Sequence, residues 1–118
     1  MTNTELQIIR RSLFLSVKEI VEHIKMHTGR SLSVRAWQLW EAGERKVPSD
    51  IYCEMVVLAA ILGRMKQDMY DKKFEKKYVY YRSFEEYLKK NKGGKVIDWR
   101  MKQACVAEMV VTGIAKSG

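Results

Sequence analysis

The spacing of apolar positions divides the chain into helical stretches. Leu6, Ile9 and Leu13 recur three and four residues apart, the period of one helix face, and predict a first helix over residues 4–13. Ser16-Val17-Lys18-Glu19 has the form of a capping box, in which a serine oxygen takes a free amide of the first turn and the glutamate reaches back to the cap amide. Val17, Ile20, Val21 and Ile24 then form the apolar stripe of a second helix. Thr28-Gly29-Arg30 breaks it, leaving a connection of about residues 25–32. Ser33 is placed to cap a third helix that closes at Gly43, with Trp37 and Trp40 three apart on one face. Pro48-Ser49 announces a long fourth helix over residues 50–71, whose segment 55–62 is apolar all round and predicts burial on several sides.

Beyond residue 71 the pattern changes. Tyr78-Val79-Tyr80-Tyr81-Arg82 is rich in strand formers and is the one strand candidate, with no evident partner. Ser83-Phe84-Glu85-Glu86 is a second capping box, opening a short helix through Leu88. Gly93-Gly94 marks a turn. Asp98 is placed to cap a last helix running to about Thr112 and closed by Gly113. That helix is apolar over most of its circumference, which predicts a subunit interface through Trp99, Val106, Met109 and Val110. The fold class expected is mostly α: a helix-turn-helix bundle over residues 1–65 and a C-terminal helical extension over 66–118 that carries one short strand and the dimer contact.

Composition adds a partner class. The 118 residues carry a formal charge of +8, which favours polyanions. Residues 1–65 contribute a net +2 and residues 66–118 a net +6. Cys53 and Cys105 stand in apolar contexts without a CxxC, so reduced, unliganded thiols of a cytoplasmic protein are expected. The N-terminus lacks the apolar stretch of a signal peptide, and no apolar run reaches the length of a membrane span.

The segment S-x-R-x-W-x-x-W-E-x-G, from Ser33 to Gly43, carries the functional expectation. A helix-turn-helix unit needs apolar residues that lock its second helix against its third, here Ile20, Val21, Ile24, Trp37 and Trp40. It also needs polar groups on the free face to reach base edges in the major groove. Arg35 can bridge O6 and N7 of guanine, Gln38 can bridge N6 and N7 of adenine, and Val34 or Leu39 can meet a thymine methyl. Lys18, Arg30, Ser33, Arg45 and Lys46 flank that helix as phosphate contacts, which fix register without reading sequence.

Residues 4–51 resemble the Cro/CI-type (XRE) phage-repressor domain. Across nearly its full length the chain resembles the YdiL-like group and the related anti-CRISPR-associated regulators. The matching stretches are Thr4-Glu5-Leu6-Gln7 with Arg10, Ser33 to Gly43 with Pro48, and Val96-Ile97-Asp98-Trp99-Arg100. The resemblance implies a five-helix N-terminal DNA-binding domain, a C-terminal dimerisation region and transcriptional repression, often of the regulator's own operon. It also implies an internal ion pair between Arg10 and Glu41. Two departures stand out: the connection between the second and third helices is longer than the family's tight turn, and Val21 stands where alanine is usual.

The partner expected is double-stranded DNA carrying a pseudo-palindromic operator, bound by a homodimer whose half-site centres lie about 34 Å apart. Two other function classes fit parts of the chain. Lys72, Lys73, Lys76 and Lys77 with Tyr78, Tyr80 and Tyr81 could track and stack on RNA. The apolar last helix could dock a partner protein, as in an antitoxin. His23 and His27 have the four-residue spacing of metal ligands, but no third ligand accompanies them, and neither metal nor cofactor is expected. Catalysis is the weakest reading: the chain shows no nucleophile–base pair, metal cluster or phosphate-cradling glycine loop.

Overall fold

A computed structural model describes residues 2–72 and 79–112. Thr2 opens α1 (Asn3–Ser12) with a full capping box, its hydroxyl accepting from the Glu5 amide while Glu5 accepts from the Thr2 amide. Ser16 and Glu19 do the same for α2 (Val17–Thr28), which ends on Gly29 in the left-handed region at φ 73°. The connection to α3 (Val34–Glu41) is therefore the five residues 29–33, shorter than the spacing of apolar positions implied. Ser33 caps α3 through the Ala36 amide at 3.0 Å. Gly43, at φ 81°, lies just beyond its end.

The chain forms two compact units, residues 1–60 and 61–118. In the first, α1 and α2 both pack on α3, and the core consists of Leu6, Leu13, Ile20, Val21, Ile24, Trp37, Trp40, Ile51 and Met55. Leu15, in the α1–α2 connection, is also buried. This unit holds three helices and the first part of α4 (Ser49–Asp71) rather than the five that the family resemblance implied. The all-round burial expected for residues 55–62 does not occur. Met55, Leu58 and Leu62 are buried, whereas Val56, Val57 and Ile61 are 43%, 54% and 43% exposed. Three and four residues separate the buried positions, so one stripe of α4 is covered and the rest faces outward.

The second unit packs α5 (Phe84–Lys90) on α6 (Val96–Val111), and a 3.1 Å ion pair from Lys66 to Glu108 ties the last turns of α4 to α6. The last helix begins two residues before its expected cap. Asp98 sits inside the first turn and accepts from the Lys95 amide at 3.1 Å. The strand expected over residues 78–82 is not seen among the described residues: Val79, Tyr80 and Tyr81 are irregular, and Tyr78 lies outside them. Side chains take the place of a ladder partner, because the Tyr81 carbonyl accepts from Trp99 Nε1 at 2.8 Å and from Gln103 Nε2 at 3.0 Å. Phe84, Tyr87 and Trp99 form an aromatic cluster around that junction, with Tyr87 and Tyr81 edge to face at 5.5 Å.

Candidate nucleic-acid interface

The third helix divides its residues between anchoring and exposure. Trp37 is fully buried and Trp40 nearly so, their rings 5.7 Å apart at a 59° tilt. On the opposite side Val34, Arg35 and Gln38 are exposed and Leu39 is half-buried, so the four candidate base readers occupy the face that the tryptophans leave free.

Glu41 holds that orientation from beneath. Its carboxylate accepts from Arg10 Nε at 2.7 Å and Arg10 Nη2 at 2.9 Å, a bidentate pair, and from the Trp37 indole nitrogen as well. Arg10 gives its remaining Nη1 to the Leu15 carbonyl at 2.9 Å. The ion pair implied by the family resemblance is thus present, and it links α1, the α1–α2 connection and α3. Burial alone would raise the Glu41 pKa. The hydrogen bonds from Arg10, Trp37 and Gln7 and the charge of Arg10 outweigh it and hold the carboxyl below its ordinary range. Asn3 secures the same C-terminal end of the helix, its side-chain amide donating to the carbonyl of Trp40 and, at 3.1 Å, to that of Arg45.

The flanking candidates differ in exposure. Lys18, Ser33, Arg45 and Lys46 are exposed and Arg30 is half-buried. Arg30 forms a 2.6 Å ion pair with Asp50 in the first turn of α4, and its guanidinium lies 5.6 Å from the Trp40 ring centroid. A surface cleft at the N-terminal end of α4 is lined by Lys46, Val47, Pro48, Ser49 and Tyr52. Lys18, Arg30, Ser33, Arg45 and Lys46 all belong to the first unit together with the candidate base readers.

Residues 1–117 match the family described as Aca2/YdiL-like. The chain belongs to that family. It is also 40% identical over 119 residues to the Aca2 repressor of Pectobacterium phage ZF40, an alignment covering 98% of this chain and 97% of that protein. Membership of the Aca2/YdiL-like family agrees with the resemblance drawn from the Ser33–Gly43 segment and its neighbours.

In this Aca2/YdiL-like chain the candidates for subunit contact are divided. Trp99, Val106 and Met109 are already buried in the single chain, whereas Val110 is 41% exposed at the end of α6 beside Val111 at 85%. Lys72 is exposed, Tyr80 and Tyr81 are half-buried, and Lys73, Lys76, Lys77 and Tyr78 lie outside the described residues. His27 meets Glu54 at 3.2 Å rather than a shared ligand with His23. Among the described residues no group of three His, Cys, Asp or Glu is placed to hold a metal, and no helix is long and apolar enough to cross a membrane. Sequence reasoning missed the pairings made by Asn3, Asp50 and Glu54. Their partners lie twenty or more residues away, and no local spacing signals such a pairing.

Proposed function

We propose that this protein is a sequence-specific DNA-binding transcriptional repressor acting as a homodimer in the cytoplasm. Residues 1–65 supply a helix-turn-helix domain and residues 66–118 the dimerisation region. One observation carries the reading: α3 is anchored on one side by Trp37, Trp40 and the Arg10–Glu41 pair, and presents Val34, Arg35 and Gln38 to solvent on the other. A short helix fixed in this way suits insertion into a major groove. The name of the 40% identical relative, a repressor, points the same way.

In this reading Arg35 takes a guanine edge, Gln38 an adenine edge, and Val34 with Leu39 the thymine methyls. Lys18, Arg30, Ser33, Arg45 and Lys46 hold the phosphates, helped by the first-turn amides of α4 beside Lys46 and Ser49. Two copies reach successive grooves of a pseudo-palindrome, with half-site centres about 34 Å apart. The exposed Val110 at the end of α6 is the contact assigned to the second copy, with Trp99, Val106 and Met109 supporting it from within the core.

The test is a gel shift on the DNA upstream of the protein's own gene, titrated with salt, alongside a solution mass. A dimer binding that DNA specifically and salt-sensitively supports the reading. Arg35→Ala is expected to relax sequence preference, whereas Arg45→Ala weakens binding to specific and random duplexes alike. Equal loss on both duplexes for Arg35→Ala overturns the assignment of that residue to base reading. Structured RNA, titrated in the same way against the whole chain, separates this proposal from an RNA-binding one based on the net +6 of residues 66–118.

A further inference from the structure

Asp50 stands where a DNA-binding surface gains nothing from a carboxylate. It lies in the first turn of α4, with its side chain 56% exposed, next to Ser49 and the cleft bordered by Lys46. By charge alone it repels a polyanion. Its contribution to stability is also small, because ion pairs this open to water gain little from Coulomb attraction and lose side-chain freedom. Its position is nonetheless well defined: one carboxylate oxygen lies 2.6 Å from Arg30 Nε. The same guanidinium faces the Trp40 ring at 5.6 Å, so Arg30 is held from two sides by residues of different elements.

The closest approach to Asp50 is at Nε, and among the described residues no hydrogen bond engages the two terminal amino groups of Arg30. A guanidinium restrained at Nε and on one face keeps its outer edge for a second partner, and phosphate fits that edge through two parallel hydrogen bonds. A free arginine side chain would lose most of its rotamer freedom on binding; one already ordered loses less. Arg30 lies in the five-residue connection just before the Ser33 cap, where its own amide donates to Thr28 Oγ1 at 3.1 Å.

We infer that Asp50 is a positioning residue for nucleic-acid binding, which holds Arg30 ready to clamp a backbone phosphate at the start of α3. The inference rests on the DNA-binding reading above and adds a prediction of unusual sign. Removing a negative charge from a DNA-facing surface should tighten binding, whereas removing Asp50 should weaken it.

Glu54 provides the internal control. It lies one turn further along α4, carries the same charge, and pairs with His27 rather than Arg30. The experiment measures dissociation constants by fluorescence anisotropy for the full chain on two duplexes, the DNA upstream of its gene and a random sequence, over a range of salt. Asp50→Asn is expected to weaken binding to both duplexes roughly threefold to tenfold and to make the salt dependence shallower by about 0.9 in log–log slope, the signature of one lost phosphate contact. Asp50→Glu, which keeps the charge within reach, restores most of the affinity, and Glu54→Gln leaves binding unchanged or tighter. In an Arg30→Ala background Asp50→Asn no longer weakens binding, which also separates positioning from a folding defect, since a folding defect would persist there. The inference is overturned if Asp50→Asn binds as tightly as the unaltered chain or more tightly with the slope unchanged, or if its loss is the same in the Arg30→Ala background. If the unaltered chain binds neither duplex at low salt, the DNA-binding reading itself falls, a result distinct from either of those.

Discussion

Replacing Glu41 by glutamine tests how α3 is held in place. The wild-type carboxylate accepts from Arg10 twice and from the Trp37 indole, and the two charged side chains are only 12% and 8% exposed. Glutamine keeps the shape and one acceptor oxygen, but it turns an NH2 group toward donors that cannot receive it and leaves the Arg10 charge buried without a counter-charge. Removing one partner of a buried pair outright costs about 3–5 kcal/mol. The retained oxygen and the Leu15 carbonyl, still bonded to Arg10, bring the expected loss to about 2–4 kcal/mol, a large share of a small domain's stability. Urea unfolding at fixed protein concentration, followed by far-UV circular dichroism and tryptophan fluorescence, measures it. The pH dependence adds a second check. Glu41 is held below its usual value of 4.5 in the folded state, so its contribution is fully present above that value and is lost as pH falls through the folded pKa. The stability gap between wild type and Glu41→Gln should therefore be constant near neutrality and narrow below about pH 4.5. A loss under about 0.5 kcal/mol, or a gap unchanged to strongly acid pH, would refute the view that this pair anchors α3.

Among the described residues, the two glycines outside strained backbone should respond in opposite directions to alanine. A Cβ at Gly94 would fall 2.5 Å from Cε2 of the buried Tyr87 ring and 3.0 Å from the Asn91 carbonyl, so Gly94→Ala should destabilise by about 1–3 kcal/mol. Gly63 has open space around it within α4, so Gly63→Ala should stabilise by about 0.5–1 kcal/mol; thermal melts compare the two. The thiols should separate in a labelling time course at neutral pH. Cys53 is exposed and should react at once, whereas Cys105 is fully buried, with burial pushing its thiol up to about 11, and should react only on unfolding. Ser33→Ala removes the side-chain acceptor of the Ala36 amide and should cost about 1 kcal/mol in denaturant unfolding.

Signals that act over three or four residues were legible in the sequence. The Ser16–Glu19 box, the Ser33 cap and the Trp37–Trp40 spacing each specify a local geometry, and each is found as read. Features that depend on distant partners were not legible. The aromatic run near Tyr81 has strand composition, yet its carbonyl is taken by Trp99 and Gln103, about twenty residues further on. An all-round apolar α6 suggested a second subunit, but Trp99, Val106 and Met109 are covered within one chain. Asp50 is a first-turn acid, favourable to the helix dipole, and nothing local signals its pairing with Arg30 twenty residues back.

The two-sided character of α3 bears on how such a protein can diverge. Eight residues span only about 12 Å, so the positions on this helix divide between the core and the exposed face. Substitutions at Arg35 or Gln38 touch solvent and leave the tryptophan anchors undisturbed, and surface changes of that kind typically shift stability by less than about 0.5 kcal/mol. On the DNA-binding reading proposed above, operator preference can therefore drift among relatives without a loss of foldedness opposing each step. Trp37, Arg10 and Glu41 lack that freedom, because a change in any one strands a buried partner of the other two.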